Sequence, residues 1–169
     1  MAFHVWEFVR LVHVVASALW AGAAFLGAVV VGPAMKAAGL GGKPFMEAIE
    51  RRGGFPRVMM PLALTSILAG LLLYWGRGYT AGPVSSVPAT LLTIGALAGI
   101  VTVVLGMAFG LPLQRRMKAL AASFGPGGPT PEQGVEMARL GARVGRIGTV
   151  GTVLIGVALV LMVGRNVVA

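Results

Sequence analysis

The chain has 169 residues, of which 57% are hydrophobic and 11% are charged, and its net charge is +9. A soluble domain usually has about a quarter charged residues, a much larger share than in this chain. Together with the mean hydropathy of +0.88, this low charge content excludes an ordinary soluble fold. There are no cysteines, which excludes disulfides and thiolate metal sites. The charge of +9 would suggest nucleic-acid binding in a soluble protein, but membrane topology explains it here, and no nucleic-acid partner is expected.

Four apolar segments are long enough to cross a bilayer, which takes about 20 residues. They cover residues 5–31, 57–76, 88–111 and 146–166. The first begins near Met1 and is too long for a signal peptide, so it is expected to be a retained helix. No internal repeat is clear. The predicted fold class is an all-α membrane protein, a four-transmembrane-helix bundle that forms a single domain over residues 1–169.

Prolines mark the expected ends of these spans. The first span is predicted to end at Val31-Gly32-Pro33 and the third at Leu111-Pro112, whereas Pro61 is expected in the first turn of the second span. The segment Thr130-Pro131-Glu132-Gln133 has the residues of an N-cap, an N1 proline and a capping box, so a helix should start there and continue into the fourth span. A short helix is predicted over 44–52, ended by Gly53-Gly54.

Basic residues are concentrated in two connections, between spans one and two and between spans three and four. These residues are Lys36, Lys43, Arg51, Arg52, Arg57, Arg115, Arg116, Lys118, Arg139, Arg143 and Arg146. The positive-inside rule places both connections in the cytoplasm and both termini outside, in what is expected to be a bacterial inner membrane. The arginines among them form a predicted lipid-facing basic surface for anionic head groups, or they only set the topology.

Aromatic residues fit the same orientation. An aromatic belt at the outer interface is predicted from Phe3, Trp6, Phe8, Tyr74, Trp75 and Tyr79. Small residues recur at helical spacing on the last two spans, and such stripes let membrane helices approach closely. They are Gly95, Gly99, Thr102, Gly106 and Gly110, and then Gly141, Gly145, Gly148, Thr152 and Gly156, with a weaker pair at Ser66 and Gly70. A compact bundle is expected.

The first span contains the candidate chemistry. Arg10, His13, Ser17 and Trp20 recur at a spacing of three and four residues, so they share one helix face, and Glu7 could pair with Arg10. Ionisable residues in a span are functional candidates, and histidine suits haem iron, copper or a proton relay. Ser17 or a backbone carbonyl could orient the second imidazole nitrogen. Alternatively, His13 lies near the outer interface and bonds to head groups or water.

A second protein ligand for a metal is not obvious. His4 lies nine residues before His13, about 900° of helix rotation, so one helix cannot present both to one metal. Methionines are available in or beside the spans, although most apolar methionines only fill space. The candidates are Met59, Met60, Met107 and Met162. A symmetric homodimer that brings two copies of His13 to one haem would give one haem per two chains.

The usual enzyme constellations are missing from the sequence. It contains no paired carboxylates, nucleophile elbow, phosphate-binding loop or His-Glu metalloprotease motif, so a hydrolase is not expected. The spans also lack the paired broken helices and the mid-membrane charges of transporters of charged solutes.

The first half of the chain resembles the superfamily that contains the CopD copper-resistance proteins and the HemJ-type protoporphyrinogen oxidases. The resemblance rests on Val12-His13 followed by Ala18-Leu19-Trp20-Ala21-Gly22. It also rests on Glu50-Arg51-Arg52, then Arg57-Val58-Met59-Met60-Pro61 and the late segment Gly70-Leu71-Leu72-Leu73. The third span has neither the histidine nor the lysine found in later helices of HemJ-like proteins, so the resemblance does not extend to protoporphyrinogen oxidation.

This resemblance implies a membrane protein that binds haem b, or copper as the alternative, with His13 as ligand and Trp20 beside it, for redox chemistry or metal handling. Arg10 and Ser17 complete the predicted cofactor site. The competing hypothesis is a non-catalytic membrane subunit or anchor of a larger complex, in which the glycine stripes contact partners and His13 is structural.

Overall fold

A computed structural model of the chain describes residues 5–51, 55–76 and 87–164. These ranges contain helices and no β-strand, and four of the helices are long and apolar enough to cross a membrane. The all-α fold class is confirmed at this level.

The regular elements follow one another with few connecting residues. They are α1 (Val5–Leu26), a π turn (Gly27–Val31), α2 (Gly32–Ala38), a 3₁₀ turn (Gly39–Gly42), α3 (Lys43–Arg51), α4 (Phe55–Gly76), α5 (Val87–Leu105), a second π turn (Gly106–Gly110), α6 (Leu111–Ala122) and α7 (Pro131–Gly164). The predicted short helix near residue 44 is α3, and the Gly53-Gly54 stop lies outside the described residues.

Two π turns carry helices through the prolines that were expected to end them. The amide of Gly32 donates to the carbonyl of Gly27, and the amide of Leu111 donates to the carbonyl of Gly106, each a bond across five residues. The wider turn displaces the carbonyls that a proline ring would otherwise strike. Helical structure therefore continues from Val5 to Ala38 and from Val87 to Ala122, so Pro33 and Pro112 do not end the helices that contain the first and third predicted spans.

Two other helix starts test the capping predictions. In α4, Pro61 is the seventh residue and lies inside the helix, so its predicted place in the first turn is wrong. In α7, Gln133 Oε1 accepts from the Thr130 amide at 2.9 Å while the Thr130 hydroxyl oxygen accepts from the Gln133 amide at 3.3 Å. This reciprocal pair is the predicted capping box, and α7 runs from it to Gly164 without a break.

The long helices pack as two antiparallel pairs, α1 with α4 and α5 with α7. In the first pair the indole of Trp6 lies against Gly76 while His13 lies against Gly70. In the second, Gly95 meets Met162 while Thr102 meets Gly151. Residues 5, 76, 87 and 164 therefore share one end of the bundle, called the terminal end here, and the opposite end, where α2, α3, α6 and the start of α7 lie, is called the basic end.

Small residues form the core between the helices. The buried apolar positions are mainly alanines, namely Ala16, Ala21, Ala63, Ala69, Ala98 and Ala158. Large apolar side chains point outward instead: Phe8 is 56% exposed, Leu68 60% and Val160 71%. A small-residue interior with an apolar exterior is the arrangement that packs helices in lipid, where association depends on close backbone approach.

The third-span stripe packs where predicted, with Gly95, Thr102 and Gly110 buried, whereas the α7 stripe packs in a different register. Gly151, Ile155 and Ala158 form the buried face of α7, whereas the predicted stripe residues Gly148 and Gly156 are exposed. The hydroxyl of Thr152 in that stripe donates to the carbonyl of Gly148 at 2.9 Å and lies 3.5 Å from the carbonyl of Ala24 on α1. The face of α7 that contacts α5 therefore differs from the predicted glycine face by about one residue of helix rotation. Apolar Ile155 and Ala158 pack against α5 beside Gly151.

Candidate functional site

A cavity of about 450 Å³ lies among all four long helices in the half of the bundle nearest the terminal end. Helices α1 and α4 contribute its polar lining, namely Arg10, His13, Ser17, Trp20, Ser66 and Tyr74. Helices α5 and α7 contribute apolar lining, including Leu92, Gly95, Ile155, Leu159 and Met162. The four predicted site residues of the first helix therefore line one cavity.

One hydrogen bond determines the tautomer of His13. Its Nδ1 lies 2.7 Å from the backbone carbonyl oxygen of Ser66. A carbonyl oxygen only accepts, so Nδ1 must carry the proton and donate it. In the neutral ring, Nε2 then has a free lone pair, and none of the described residues bonds to it. This is the second-nitrogen arrangement of a metal-ligating histidine.

Gly70 makes room for the imidazole. A Cβ atom at this position would lie 2.9 Å from His13 Cε1 and 3.1 Å from Nδ1. Real Cβ atoms do not make a contact as short as the first, so any side chain at Gly70 would displace the ring. The bond from His13 to Ser66 therefore depends on glycine one turn further along α4.

Ser17 has a different partner from the one considered in the sequence analysis. Its hydroxyl shares a hydrogen bond of 2.6 Å with the hydroxyl of Ser66, which is 95% buried, so Ser17 does not orient His13. Ser66 is thus contacted twice from α1, through its side chain by Ser17 and through its carbonyl by His13. These two bonds set the register between α1 and α4.

Arg10 and Trp20 lie before and after this pair along the same face of α1. Arg10 is exposed and lines the cavity toward the terminal end, and Trp20 lines it on the opposite side of His13. The suggested ion pair from Glu7 to Arg10 is not formed. Both side chains are exposed at the helix end, where solvation competes with pairing.

Tyr74 links the two helix pairs beside the cavity. The Thr93 hydroxyl donates to the carbonyl of Ala89 at 2.9 Å, so the Tyr74 hydroxyl, 3.0 Å from Thr93 Oγ1, is the donor of the second bond. Tyr74 is therefore directed inward and does not point outward in a belt. Trp6, Phe8 and Trp75 lie near the terminal end, while Phe3 and Tyr79 are outside the described residues.

The second-ligand candidates are separated by the fold. Met162 lines the same cavity as His13, whereas Met59, Met60 and Met107 do not. His4 lies outside the described residues. Within the described ranges, no group of three or more His, Asp or Glu side chains is arranged to hold a metal ion. Among the candidate methionines, Met162 is therefore the one that shares a cavity with His13.

Most of the predicted basic surface lies at the basic end. Arg57 is exposed on α4, and the other exposed arginines lie on α6 and α7: Arg115, Arg116, Arg139, Arg143 and Arg146. Arg139 lies 3.8 Å from Glu136, one turn earlier on α7. Arg52 and the side chain of Arg51 are outside the described part of the chain.

Comparison with known proteins adds no relative. No protein-family profile, no curated protein and no solved structure matches the chain. The resemblance to CopD and HemJ proteins stays a prediction based on residues of the first half. The case for a function therefore comes from the geometry of the cavity.

Proposed function

We propose that this chain is an integral membrane protein that binds haem b in the four-helix cavity through Nε2 of His13 and takes part in membrane redox chemistry. The observation that carries the proposal is the bond from Nδ1 to the Ser66 carbonyl, which leaves Nε2 as the free nitrogen. A proximal histidine is the commonest protein ligand of haem iron in oxygen-binding and redox proteins.

The cavity suits a flat apolar group. Its volume of about 450 Å³ lies within the usual 300–1,000 Å³ of small-molecule sites. The α5 and α7 side offers Leu92, Ile155 and Leu159, against which an apolar macrocycle can pack, while the α1 and α4 side offers the nitrogen ligand. This division into an apolar and a polar side is what a porphyrin with one axial imidazole requires.

Arg10 supplies the charge that the group's carboxylates need. It is the cavity's charged residue among those described, and it lies at the more exposed, terminal side. Guanidinium groups bind carboxylates through paired, charge-assisted hydrogen bonds. We assign Arg10 as the residue that would bind the propionate carboxylates.

Copper is the second candidate for the same nitrogen. A copper site would draw on His13 and on the soft sulfur of Met162, which line one cavity. Haem is preferred because one free imidazole nitrogen in an apolar cavity satisfies it, whereas a copper site would need at least one further ligand beside His13.

The residues, and not the group alone, would determine its redox behaviour. Haem supplies one-electron transfer when bound. The Ser66 carbonyl would hold the imidazole in one tautomer, and the apolar α5 and α7 side would limit the access of water to the group. Ligand orientation and solvent access both affect the reduction potential of a bound haem. This chain would therefore contribute to that potential by orienting His13 and by limiting solvent.

The orientation in the membrane completes the proposal. The basic end would face the cytoplasm and the terminal end the outer side, as the positive-inside rule predicts for these arginines. The cavity would then lie in the outer half of the bilayer, with both termini outside. A redox partner would reach it from that side or from within the membrane.

The test is purification in mild detergent from haem-replete and copper-fed cells, followed by absorption spectroscopy and metal analysis. The unmodified chain is expected to show a Soret band that His13→Ala abolishes. His4→Ala is the matched control because it removes the other histidine of the chain, and it should retain the band. A sample without colour or copper contradicts the proposal and favours the anchor hypothesis.

A further inference from the structure

A second cavity lies at the basic end, away from His13, between the second π turn with α6 on one side and α7 on the other. Its volume is about 530 Å³. The apolar part of its lining is Leu105, Phe109, Pro112, Leu113 and Ile147, and Phe109 is 56% exposed. An open apolar groove of this kind accommodates a flexible chain along the outside of the bundle.

Three arginines line the same groove: Arg116 from α6, and Arg143 and Arg146 from α7. They belong to two helices that pack together, and all three are exposed. None of them lies within 4.0 Å of a described carboxylate, whereas Arg139 on the same helix has Glu136 as a neighbour. The groove is therefore a concentration of positive charge without a described counter-ion.

The position of the arginines matches a bilayer interface. From Arg146 to Gly164 the helix rises by about 27 Å at 1.5 Å per residue, close to the hydrocarbon thickness of about 30 Å. Arg143 and Arg146 thus lie where head-group phosphates begin if the terminal end reaches the other interface. Ile147 and Leu105 lie on the hydrocarbon side of that level.

We propose that this groove is a binding site for an anionic phospholipid of the cytoplasmic leaflet. The lipid phosphate would bind Arg116, Arg143 and Arg146, and an acyl chain would lie against Phe109, Leu113 and Ile147. The apolar lining selects a lipid over a free phosphate ion, and the three guanidinium groups select an anionic head group over a zwitterionic one. The site depends on the proposed membrane orientation but not on haem.

The experiment is native mass spectrometry of the detergent-purified chain, titrated with phosphatidylglycerol or with phosphatidylcholine of identical acyl chains. Arg116→Gln with Arg143→Gln should weaken phosphatidylglycerol binding about 30-fold, from two basic residues at a bilayer surface. The matched control is Arg115→Gln with Arg139→Gln, which also removes one charge from α6 and one from α7. It should change binding less than threefold.

A second variant tests whether the lipid occupies the groove or only binds to the charged surface. Ala108 lines the groove and is exposed, so Ala108→Phe fills the groove without altering charge. It should weaken phosphatidylglycerol binding about tenfold by excluding part of an acyl chain. Inorganic phosphate at the same concentration should not displace the lipid. Circular dichroism and elution volume should match the unmodified chain for every variant.

Three results would overturn the lipid site. These are equal losses for the two arginine pairs, equal affinity for the two lipids, or complete displacement by inorganic phosphate. If the haem proposal is right, none of these variants should change the Soret band. A failure of the lipid proposal is therefore distinguishable from a failure of the haem proposal.

Discussion

The α1–α4 pair and the α5–α7 pair share one plan, but polar side chains join the first pair whereas the second packs through apolar contacts. Both α1 and α5 run into a π turn and a proline, and both pack antiparallel on their partner. In the first pair, His13 and Ser17 bond to Ser66. In the second, Gly95 lies against Met162 and Gly151 lies against Thr102.

The second pair therefore acts as an internal control for the first. It shows that a helix pair of this design can pack through small residues, which is how membrane helices usually associate. An imidazole is not needed for that purpose. Under the proposed function, the placement of His13 beside a cavity with Nε2 free serves ligand binding. If this interpretation is right, changes in the first pair should affect cofactor binding, and equivalent changes in the second should affect stability alone.

Among the changes that compare the two pairs, Gly70→Ala has the largest expected effect. The new Cβ would lie 2.9 Å from His13 Cε1, so the ring must leave the Ser66 carbonyl. Haem content at purification should fall at least about tenfold, as expected when an outer-shell partner of a ligand is lost. Unfolding in SDS titrations should become easier by about 1–3 kcal/mol, as for other overpacked sites. Gly156→Ala is the matched control, since no atom lies within 4 Å of its new Cβ.

A smaller effect, confined to stability, is expected from Gly151→Ala. Its Cβ would lie 3.2 Å from Thr102 Cγ2, so α5 and α7 must separate slightly. The free energy of unfolding should fall by about 1 kcal/mol, the lower end of overpacking costs. The Soret absorbance per chain should not change. Gly148→Ala adds the same methyl group in open space on α7 and should cost nothing. A loss of haem in Gly151→Ala would remove the distinction between the two pairs.

The smallest effect concerns the Ser17–Ser66 bond. Hydrogen bonds between membrane helices contribute about 0.6 kcal/mol on average, because the unfolded chain in lipid finds other partners. A double-mutant cycle with Ser17→Ala and Ser66→Ala should give a coupling energy of that size. The carbonyl that holds His13 belongs to the backbone, so both variants should keep haem. A coupling energy above about 2 kcal/mol would mean that this hydrogen bond contributes strongly to the stability of the first pair, contrary to this expectation.

Much of the fold could be predicted because hydropathy and capping residues are local signals. The four long helices follow from apolar length, and the start of α7 follows from Thr130 and Gln133. The continuation of the helices past Pro33 and Pro112 could not be foreseen, since proline normally ends a helix. The π turns that accommodate the two prolines depend on hydrogen bonds between residues five apart, which the sequence does not indicate. One signal was present: Gly27 and Gly106 each precede the next proline by six residues.

A gapless alignment of α4 with α7 does not mark equivalent positions in the two helix pairs. Residues 57–73 and 143–159 align without a gap, with Arg, Val, Leu, Gly and Leu identical and Ser66 opposite Thr152. Apolar helices match one another easily, so five identities were not evidence of a repeat. The structure agrees, because Gly70 faces His13 of its partner helix whereas the aligned Gly156 is exposed and has no atom within 4 Å of an added Cβ.

The candidate site was half predictable. Helical spacing places Arg10, His13, Ser17 and Trp20 on one face, and the cavity lies along that face. Ser66 and Gly70 could not be assigned to His13, because helix pairing and register depend on contacts between distant segments. The sequence does not distinguish Met162 from the other candidate methionines, whereas the fold shows that it lines the cavity. The glycine stripe of α7 suggested the wrong face, because Ile155 and Ala158 compete with it for the helix contact.

The most direct test is a titration of haem b into the detergent-purified, haem-free chain, followed by Soret absorbance, in the unmodified protein and in His13→Ala. The cavity lies within one chain, so the account predicts saturation at one haem per chain and an affinity at least about tenfold lower for the variant. Saturation at one haem per two chains would indicate ligation across a dimer. Equal binding by the unmodified chain and His13→Ala would contradict the account.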